Sequence, residues 1–505
     1  MNNYQLKCEG KLLKAIIKYY KFYFFIFFFF FQPSIKAQIL FSILLSDSAD
    51  SKPVGLIEYN NAYYLFSNET NGNDFYTRIR IMDTLGNIVK DKCVKIENKA
   101  IATVPSYVSD SGIYLVGFSR DYGSYYEKCL FIKLNSNLEP IIFSESNDGV
   151  GFTYNMLTLE YGHSIFYCID ALNEYGIDRN IYMYKWDLSG NLIKSISFGS
   201  PEYSEYLFWM FKNYENDSIF LLAGGFYYSY PSSLKLVKID TLLSSSLISE
   251  FPLGDFIYYN NLEYLTSNRL IYSGKYLAAP YNPRNDEMGV AILDRNFIEV
   301  RRILLGAPDT VDYPGYYHNF SSIDNRNFYC TFTKNQSFQS VFEPQLSWIS
   351  ICAIDTSLTL KWMKFYGGDA NYGSWNVLST HDGGCLVAAT KYEWWNYSYQ
   401  RDIVLIKIDS TGLITSNKYP FELHLNIHDA IVYPNPGREK LVIENGPQIA
   451  GARFVLYDMA GKPVVEALLN KTSTSLSTNQ LSSGLYFWNI IYKGKVIESG
   501  KWVKE

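Results

Sequence analysis

An apolar strand that ends in Asp or Asn and runs into a short polar turn returns seven times along this chain. The copies are Ile81-Met82-Asp83, Ile132-Lys133-Leu134-Asn135, Tyr184-Lys185-Trp186-Asp187, Val237-Lys238-Ile239-Asp240, Ala291-Ile292-Leu293-Asp294, Cys352-Ala353-Ile354-Asp355 and Ile406-Lys407-Ile408-Asp409. Successive anchors are separated by 52, 52, 53, 54, 61 and 54 residues. A period near fifty has room for four antiparallel strands and their turns. A unit of that size cannot bury its apolar faces alone, so the copies must stack on one another.

Each copy can be traced in one order. A leading strand such as Trp375–Thr380 reaches a turn, here His381-Asp382-Gly383-Gly384. A second strand follows, as in Tyr63–Ser67, Ile113–Phe118, Ile165–Ile169, Ile219–Ala223, Leu270–Ser273, Phe328–Phe332 and Cys385–Ala389. A variable polar connection leads to the Asp-ending third strand. The fourth is exemplified by Leu192–Phe198, Val300–Leu305 and Leu360–Tyr366. Four strands repeated seven times predict an all-β fold and a seven-bladed β-propeller over 38–421. A hairpin solenoid gives the same periodicity without closing a ring. The repeated aspartates are turn residues in this reading: Asp83, Asp187 and Asp409 each stand three residues before a glycine, where a carboxylate can accept backbone N–H bonds.

The last segment, 429–505, changes character. Alternating runs Lys440–Glu444, Arg453–Asp458 and Leu485–Tyr492 predict short strands, with glycine turns at Asp458–Lys462 and Tyr492–Lys495 and a further tight turn at Gly484. Pro434 and Pro436 leave few donors, so the lead into this domain is extended rather than an inner strand. Four motifs stand in order: Tyr433-Pro434-Asn435-Pro436-Gly437, then Tyr457-Asp458-Met459-Ala460-Gly461-Lys462, then Gly484-Leu485-Tyr486-Phe487, then Gly494-Lys495 with Gly500-Lys501-Trp502. Together they resemble the type A C-terminal sorting domain of the type IX secretion system of Bacteroidetes. The resemblance implies a small Ig-like β-sandwich, with Tyr433, Pro434, Asn435, Pro436, Asp458, Gly461, Lys462, Gly484, Tyr486, Lys495 and Lys501 as its motif residues. It implies the type IX machinery as partner, and a tail that is removed or exchanged for a surface anchor after export.

The other end agrees with export. Lys7, Lys11, Lys14, Lys18 and Lys21 precede the apolar run Phe22–Phe31, and Ile35-Lys36-Ala37 offers a small residue for cleavage. Ten apolar residues are too few to span a bilayer in the ordinary way, so residues 1–37 read as a Sec signal peptide, with a retained anchor as the other possibility. Removing 1–37 leaves 39 basic against 49 acidic side chains, a net charge of −10, which argues against nucleic acid as a partner. The domain plan is a leader at 1–37, repeats at 38–421, a linker at 422–428 and the tail, in a protein that is secreted or held on the outer-membrane surface.

Chemistry is harder to find. The histidines at 163, 318, 381, 424 and 428 lack metal-site spacing, and no nucleophile elbow, phosphate loop or dinucleotide glycine pattern is present. The repeated Asp boxes of sialidase propellers are missing too. The expectation is therefore no catalytic residue, metal or cofactor, although carboxylates could meet at a propeller's axis. Cys168, Cys330 and Cys385 fall on second strands, where a small apolar side chain packs between blades. Cys330 and Cys352 fall on adjacent strands of one unit and are the pair to test for a bridge.

Aromatic residues carry the functional signal. Clusters occupy the connections: Tyr122, Tyr125 and Tyr126; Tyr227, Tyr228 and Tyr230; Tyr313, Tyr316 and Tyr317; Trp394, Trp395, Tyr397 and Tyr399. Such rings, apolar on the face and polar at the edge, suit a glycan or a protein ligand. Tyrosine is equally a natural strand residue. Trp394, Trp395, Tyr397 and Tyr399 are the candidate ligand-binding set of a binding or adhesion module. A polysaccharide hydrolase or lyase on the same scaffold is the alternative.

Overall fold

The structure is a computed structural model that describes residues 41–505 apart from 173–178, 200–203, 214–217, 228–229, 252–255, 280–284, 307–309, 323–326, 338–341, 397–398, 413–430, 435, 445–450, 472 and 493–494. The predicted leader and the predicted linker lie outside the described residues.

Seven antiparallel sheets follow one another through the repeats. The first is Asp50–Tyr59, Ala62–Asn71, Asp74–Asp83 and Ile88–Val94, paired in sequence order. The second, third, fourth and fifth repeat that order within 99–150, 153–198, 204–251 and 256–304. In the sixth the leading strand is broken into Tyr313–Pro314 and Phe320–Ser321, both paired with Asn327–Lys334. The long interval between Asp294 and Asp355 is spent on this break and on the 335–347 connection.

The seventh sheet is built from both ends of the repeat region. Asn371–Ser379, Cys385–Tyr392 and Arg401–Ile408 supply three strands, and Phe41–Leu45 supplies the outermost one by pairing with Arg401–Ile408 from Phe41↔Lys407 to Leu45↔Ile403. Residues 38–40, also expected in this strand, lie outside the described residues.

Second and third strands read as continuous apolar runs because both of their faces are buried. Period-two alternation sends consecutive side chains to opposite neighbouring sheets. Phe166 packs with the fourth sheet's Leu221, whereas Tyr167 joins Phe66 and Phe131 of the first two sheets. Leu222 meets Leu270 of the fifth sheet, Ile271 meets Phe328 of the sixth, and Ile351 meets Val387 of the seventh. Leu386, the neighbour of Val387, meets Tyr63 and Met82 of the first sheet. The succession of apolar clusters thus returns to the sheet where it began.

Polar side chains repeat as regularly. Leading strands bulge between Pro53 and Gly55, Pro105 and Tyr107, Thr153 and Asn155, Leu207 and Trp209, and Ser374 and Asn376. A bulge frees backbone groups, and second-strand side chains of the preceding sheet satisfy them. Asp170 Oδ2 accepts Leu207 N–H at 3.4 Å and Thr333 Oγ1 accepts Ser374 N–H at 2.8 Å, while Asn68 Oδ1 accepts Thr103 N–H at 3.0 Å just ahead of the bulge in its strand.

The anchors behave as the turn reading expects. Asp83 Oδ1 accepts N–H from Leu85 and Asn87 at 2.9 and 2.8 Å, and Asp187, Asp240, Asp294 and Asp355 accept the same two positions of their own turns. Asn135 does so through its amide oxygen. Hydrogen bonding holds the Asp240 and Asp355 carboxylates below their ordinary pKa, led by Ser244 N–H at Asp240 and by the Ser357 hydroxyl at Asp355. The residue three places after each anchor lies at positive φ: Gly86, Gly190 and Gly412, but also Leu138, Leu243, Phe297 and Leu358. Phe41 and Ile43 crowd Gly86, Ile142 crowds Gly190 and Trp362 crowds Gly412, each of these side chains coming from the outermost strand of the preceding sheet. Where no such ring or branch enters, the buried side chains of Leu138, Leu243 and Leu358 fill the space themselves.

Gly412 is therefore held by both conformation and space. Its φ is +78°, and an added Cβ would stand 2.8 Å from the Trp362 indole, whose Nε1–H is also bonded to Ser410 O at 2.8 Å. Gly412→Ala is expected to lower unfolding free energy by about 2–4 kcal/mol, combining left-handed strain with overpacking. A guanidinium titration would show the fall in midpoint.

The tail forms two further antiparallel sheets. Ile431–Tyr433, Lys440–Glu444 and Ser473–Ser477 make one, in that order. Pro463–Leu469, Ala452–Tyr457, Gly484–Tyr492 and Lys495–Lys504 make the other. Leu441 and Ile443 from the first share one core with Phe454, Leu456, Trp488, Ile490 and Trp502 from the second.

Candidate binding site

Trp394 and Trp395 sit in a 3-10 turn, Trp394–Asn396, between the second and third strands of the seventh sheet. Asn396 fixes the turn by donating to Glu393 O at 3.0 Å and to Glu393 Oε2 at 2.8 Å. The indoles meet edge to face at 4.9 Å; Trp395 is 46% exposed and Trp394 half-buried. Tyr399 is 73% exposed, and its ring stands 5.7 Å from Phe342 of the neighbouring 335–347 connection. Phe342 packs in turn against Tyr392 at 5.1 Å and under the Arg401 guanidinium at 4.8 Å. Arg401 is pinned by Asp50 through two hydrogen bonds of 2.7 and 2.6 Å. Connections of two sheets thus meet where Tyr399 stands against Phe342 on a charge-paired base, and the Trp394–Trp395 pair lies on the same connection as Tyr399. Tyr397 lies outside the described residues.

The other clusters divide. Tyr122, Tyr125 and Tyr126 are exposed on the connection of the second sheet. Tyr228 lies outside the described residues. Tyr316 and Tyr317 do not sit at connection tips, as their spacing suggested. The break in the sixth leading strand carries them inward onto Trp375, at 4.8 and 5.7 Å.

That break also builds a cavity of about 210 Å³. Its walls come from the leading strands of the first four sheets and the seventh, as Val54–Ile57, Val104 and Pro105, Met156–Thr158, Trp209 and Asn376–Leu378, with Tyr317 and His318 from the break in the sixth. His318 accepts Val377 N–H at its carbonyl at 2.8 Å and places its ring 5.3 Å from that of Trp209. Burial disfavours its cation, but Glu263, 3.7 Å from Nε2, and the Val377 carbonyl, 3.3 Å from Nδ1, outweigh it and raise the imidazole pKa above its ordinary value. The Trp209 indole N–H is buried in this cavity without an acceptor among the described residues. The chamber is small and mostly apolar, with the His318 ring on its wall. Its signal in the sequence was the 61-residue interval, together with the adjacent Tyr316, Tyr317 and His318. Among the described residues no group of three or more His, Cys, Asp or Glu could hold a metal ion.

In the tail the predicted motif residues fall into structural roles. Trp502 Nε1–H donates to Pro434 O at 2.7 Å, and Gly437 N–H donates to Val503 O at 2.9 Å, so the proline-rich lead is tied to the last strand. Asp458 Oδ1 accepts N–H from Ala460 and Lys462 at 2.9 Å each, with Gly461 at φ +79°, which reproduces the turn of the repeats. Tyr486 is buried against Trp502, and its hydroxyl donates to Ser482 O at 2.8 Å. Gly484 opens a strand rather than occupying a tight turn, which corrects the expectation from its sequence context. Tyr433 and Lys501 are exposed, Lys495 begins the last strand, and Asn435 lies outside the described residues.

Residues 431–505 match the secretion system C-terminal sorting domain. The tail is a sorting domain. It is the type IX tail that the motifs resemble, and it marks the chain for export to the cell surface or beyond through that machinery.

No curated protein matches the sequence. Solved structures similar to the chain are propeller-like. They include a polysaccharide lyase, Uly1, at 10% identity and TM-score 0.47 over 73% of this chain and 99% of that one. The β-propeller domain of the Trilobed protease from Pyrococcus furiosus is similar at 9% identity and TM-score 0.40, over 75% and 99%. A protein of unknown function from Bacteroides caccae is similar at 11% identity and TM-score 0.34, over 57% and 89%.

Proposed function

We propose that this chain is an exported binding module: a Sec leader at 1–37, a closed seven-bladed β-propeller, and an Ig-like sorting sandwich that delivers it to the cell surface or medium. The cyclic succession of apolar clusters supports the ring, as does the placing of Phe41–Leu45 at the outer edge of the sheet that ends the repeats. The two-sheet core of the tail supports the sandwich.

The observation that carries binding is the exposure of Trp395, paired with Trp394, and of Tyr399 on one connection. Large rings exposed together on a secreted protein are a liability unless a partner covers them. Their flat faces suit a glycan or the apolar anchors of a protein. Changing Trp394 and Trp395 to alanine is expected to weaken ligand binding by about 2–4 kcal/mol while leaving the melting temperature almost unmoved. A glycan array and a surface-protein pull-down with the mature chain identify the ligand, and titration of the double variant measures the loss. A drop in melting temperature with unchanged affinity would reduce the pair to packing of the connection. Depolymerisation of polysaccharide would favour the hydrolase or lyase reading.

A further inference from the structure

Cys330 and Cys352 are direct partners on neighbouring antiparallel strands of the sixth sheet. Both are wholly buried in the core shared by the fifth and sixth sheets. Their backbone setting follows from Thr331. Its N–H donates to Asn319 O and its carbonyl accepts Gly315 N–H, each at 3.0 Å, so both groups face the broken leading strand. Alternation then turns the backbone of Cys330 toward Cys352, which makes the two a hydrogen-bonded pair of the ladder. Such a pair has a Cα separation of about 5.5 Å, within the range disulfides span. Its Cβ atoms stand at the wide end of the cross-strand range, beyond the roughly 3.8 Å of a typical disulfide, so closing the bond draws the two strands together. Being directly opposite, the two side chains also leave the same face of the sheet.

We propose that Cys330 and Cys352 are joined by a disulfide in the exported protein. The proposal rests on the export reading only for its compartment, since an oxidising environment is where such bonds form and persist. Burial pushes the Cys330 thiol well above its ordinary pKa, so in the folded chain it is a poor nucleophile, and the bond forms while the strands are still accessible. The oxidant is a disulfide of a thiol oxidoreductase or of oxidised glutathione. One cysteine thiolate attacks it to give a mixed disulfide and releases one thiolate. The second cysteine then displaces the other, so that two electrons and two protons leave the protein and the oxidant becomes a dithiol or two thiols. The closed loop contains the 335–347 connection, and with it Phe342, the ring against which Tyr399 stands. The bond would brace the Phe342 side of that contact.

The test uses full-length protein in two samples: chain recovered from the medium, and reduced chain refolded in a glutathione redox buffer. Each is alkylated in denaturant without reductant, digested and weighed. Linked Cys330 and Cys352 peptides with a two-hydrogen mass deficit are expected, while Cys93, Cys129, Cys168 and Cys385 carry the alkyl label. Cys330→Ser is expected to leave Cys352 fully labelled. Complete labelling of both cysteines in the refolded chain, or a link from either to Cys385, overturns the proposal. An empty medium would count against export alone, because the refolded sample still reads the pair.

Discussion

Removing residues 38–45 is expected to destabilise the repeat region more than any change to a connection. Phe41 and Ile43 are 1% and 4% exposed, and Phe41–Leu45 pairs along its whole length with Arg401–Ile408. Burying two such side chains contributes about 3–6 kcal/mol together, a large share of the roughly 5–15 kcal/mol that holds a domain folded. The truncation also bares the edge of Arg401–Ile408 and leaves a gap against Gly86, on which Phe41 and Ile43 pack. The denaturation midpoint is expected to fall sharply and the protein to self-associate on a sizing column. Shortening the 122–126 connection is expected to do neither. A midpoint equal to that of the intact chain would mean that the first strand closes nothing.

A chain ending at Phe421 is expected to cross the inner membrane and stop in the periplasm, whereas residues 422–505 fused to an inert reporter carry it outside. Fractionation followed by immunoblotting measures both, and the effect is close to all or none because the sorting domain lies wholly within the deleted segment. Equal amounts outside the cell with and without the tail would end the export reading. Gly461→Val is a finer probe. At φ +79° a β-branched side chain strains the Asp458 turn by about 1–2 kcal/mol or more, in a small domain with little stability to spare.

Local chemistry made much of this architecture legible. An Asp followed by a residue at positive φ is a turn wherever it stands, so the seven anchors marked seven hairpins, and Asp458 marked another in the tail. Apolar runs such as Cys385–Ala389 and Ile403–Ile408 were legible as strands buried on both faces. Lys440–Glu444 was placed to the residue. The ordered tail motifs carried the address, because a sorting signal is read from a short segment and needs no distant partner.

Other features depended on groups far apart in the chain. Gly484 looked like a turn glycine from its neighbours, but pairing with Lys504 makes it the start of a strand. Tyr316 and Tyr317 looked like exposed tips until the broken sixth leading strand drew them onto Trp375. His318 looked isolated because its partners, Trp209, Glu263 and Val377, are contributed by three other sheets. The sequence by itself determined the strands, their turns and the export address, since these follow from backbone preferences and side chains a few residues apart. Only the tertiary structure decided which rings face solvent and which line the cavity, because burial is set by neighbours dozens of residues away.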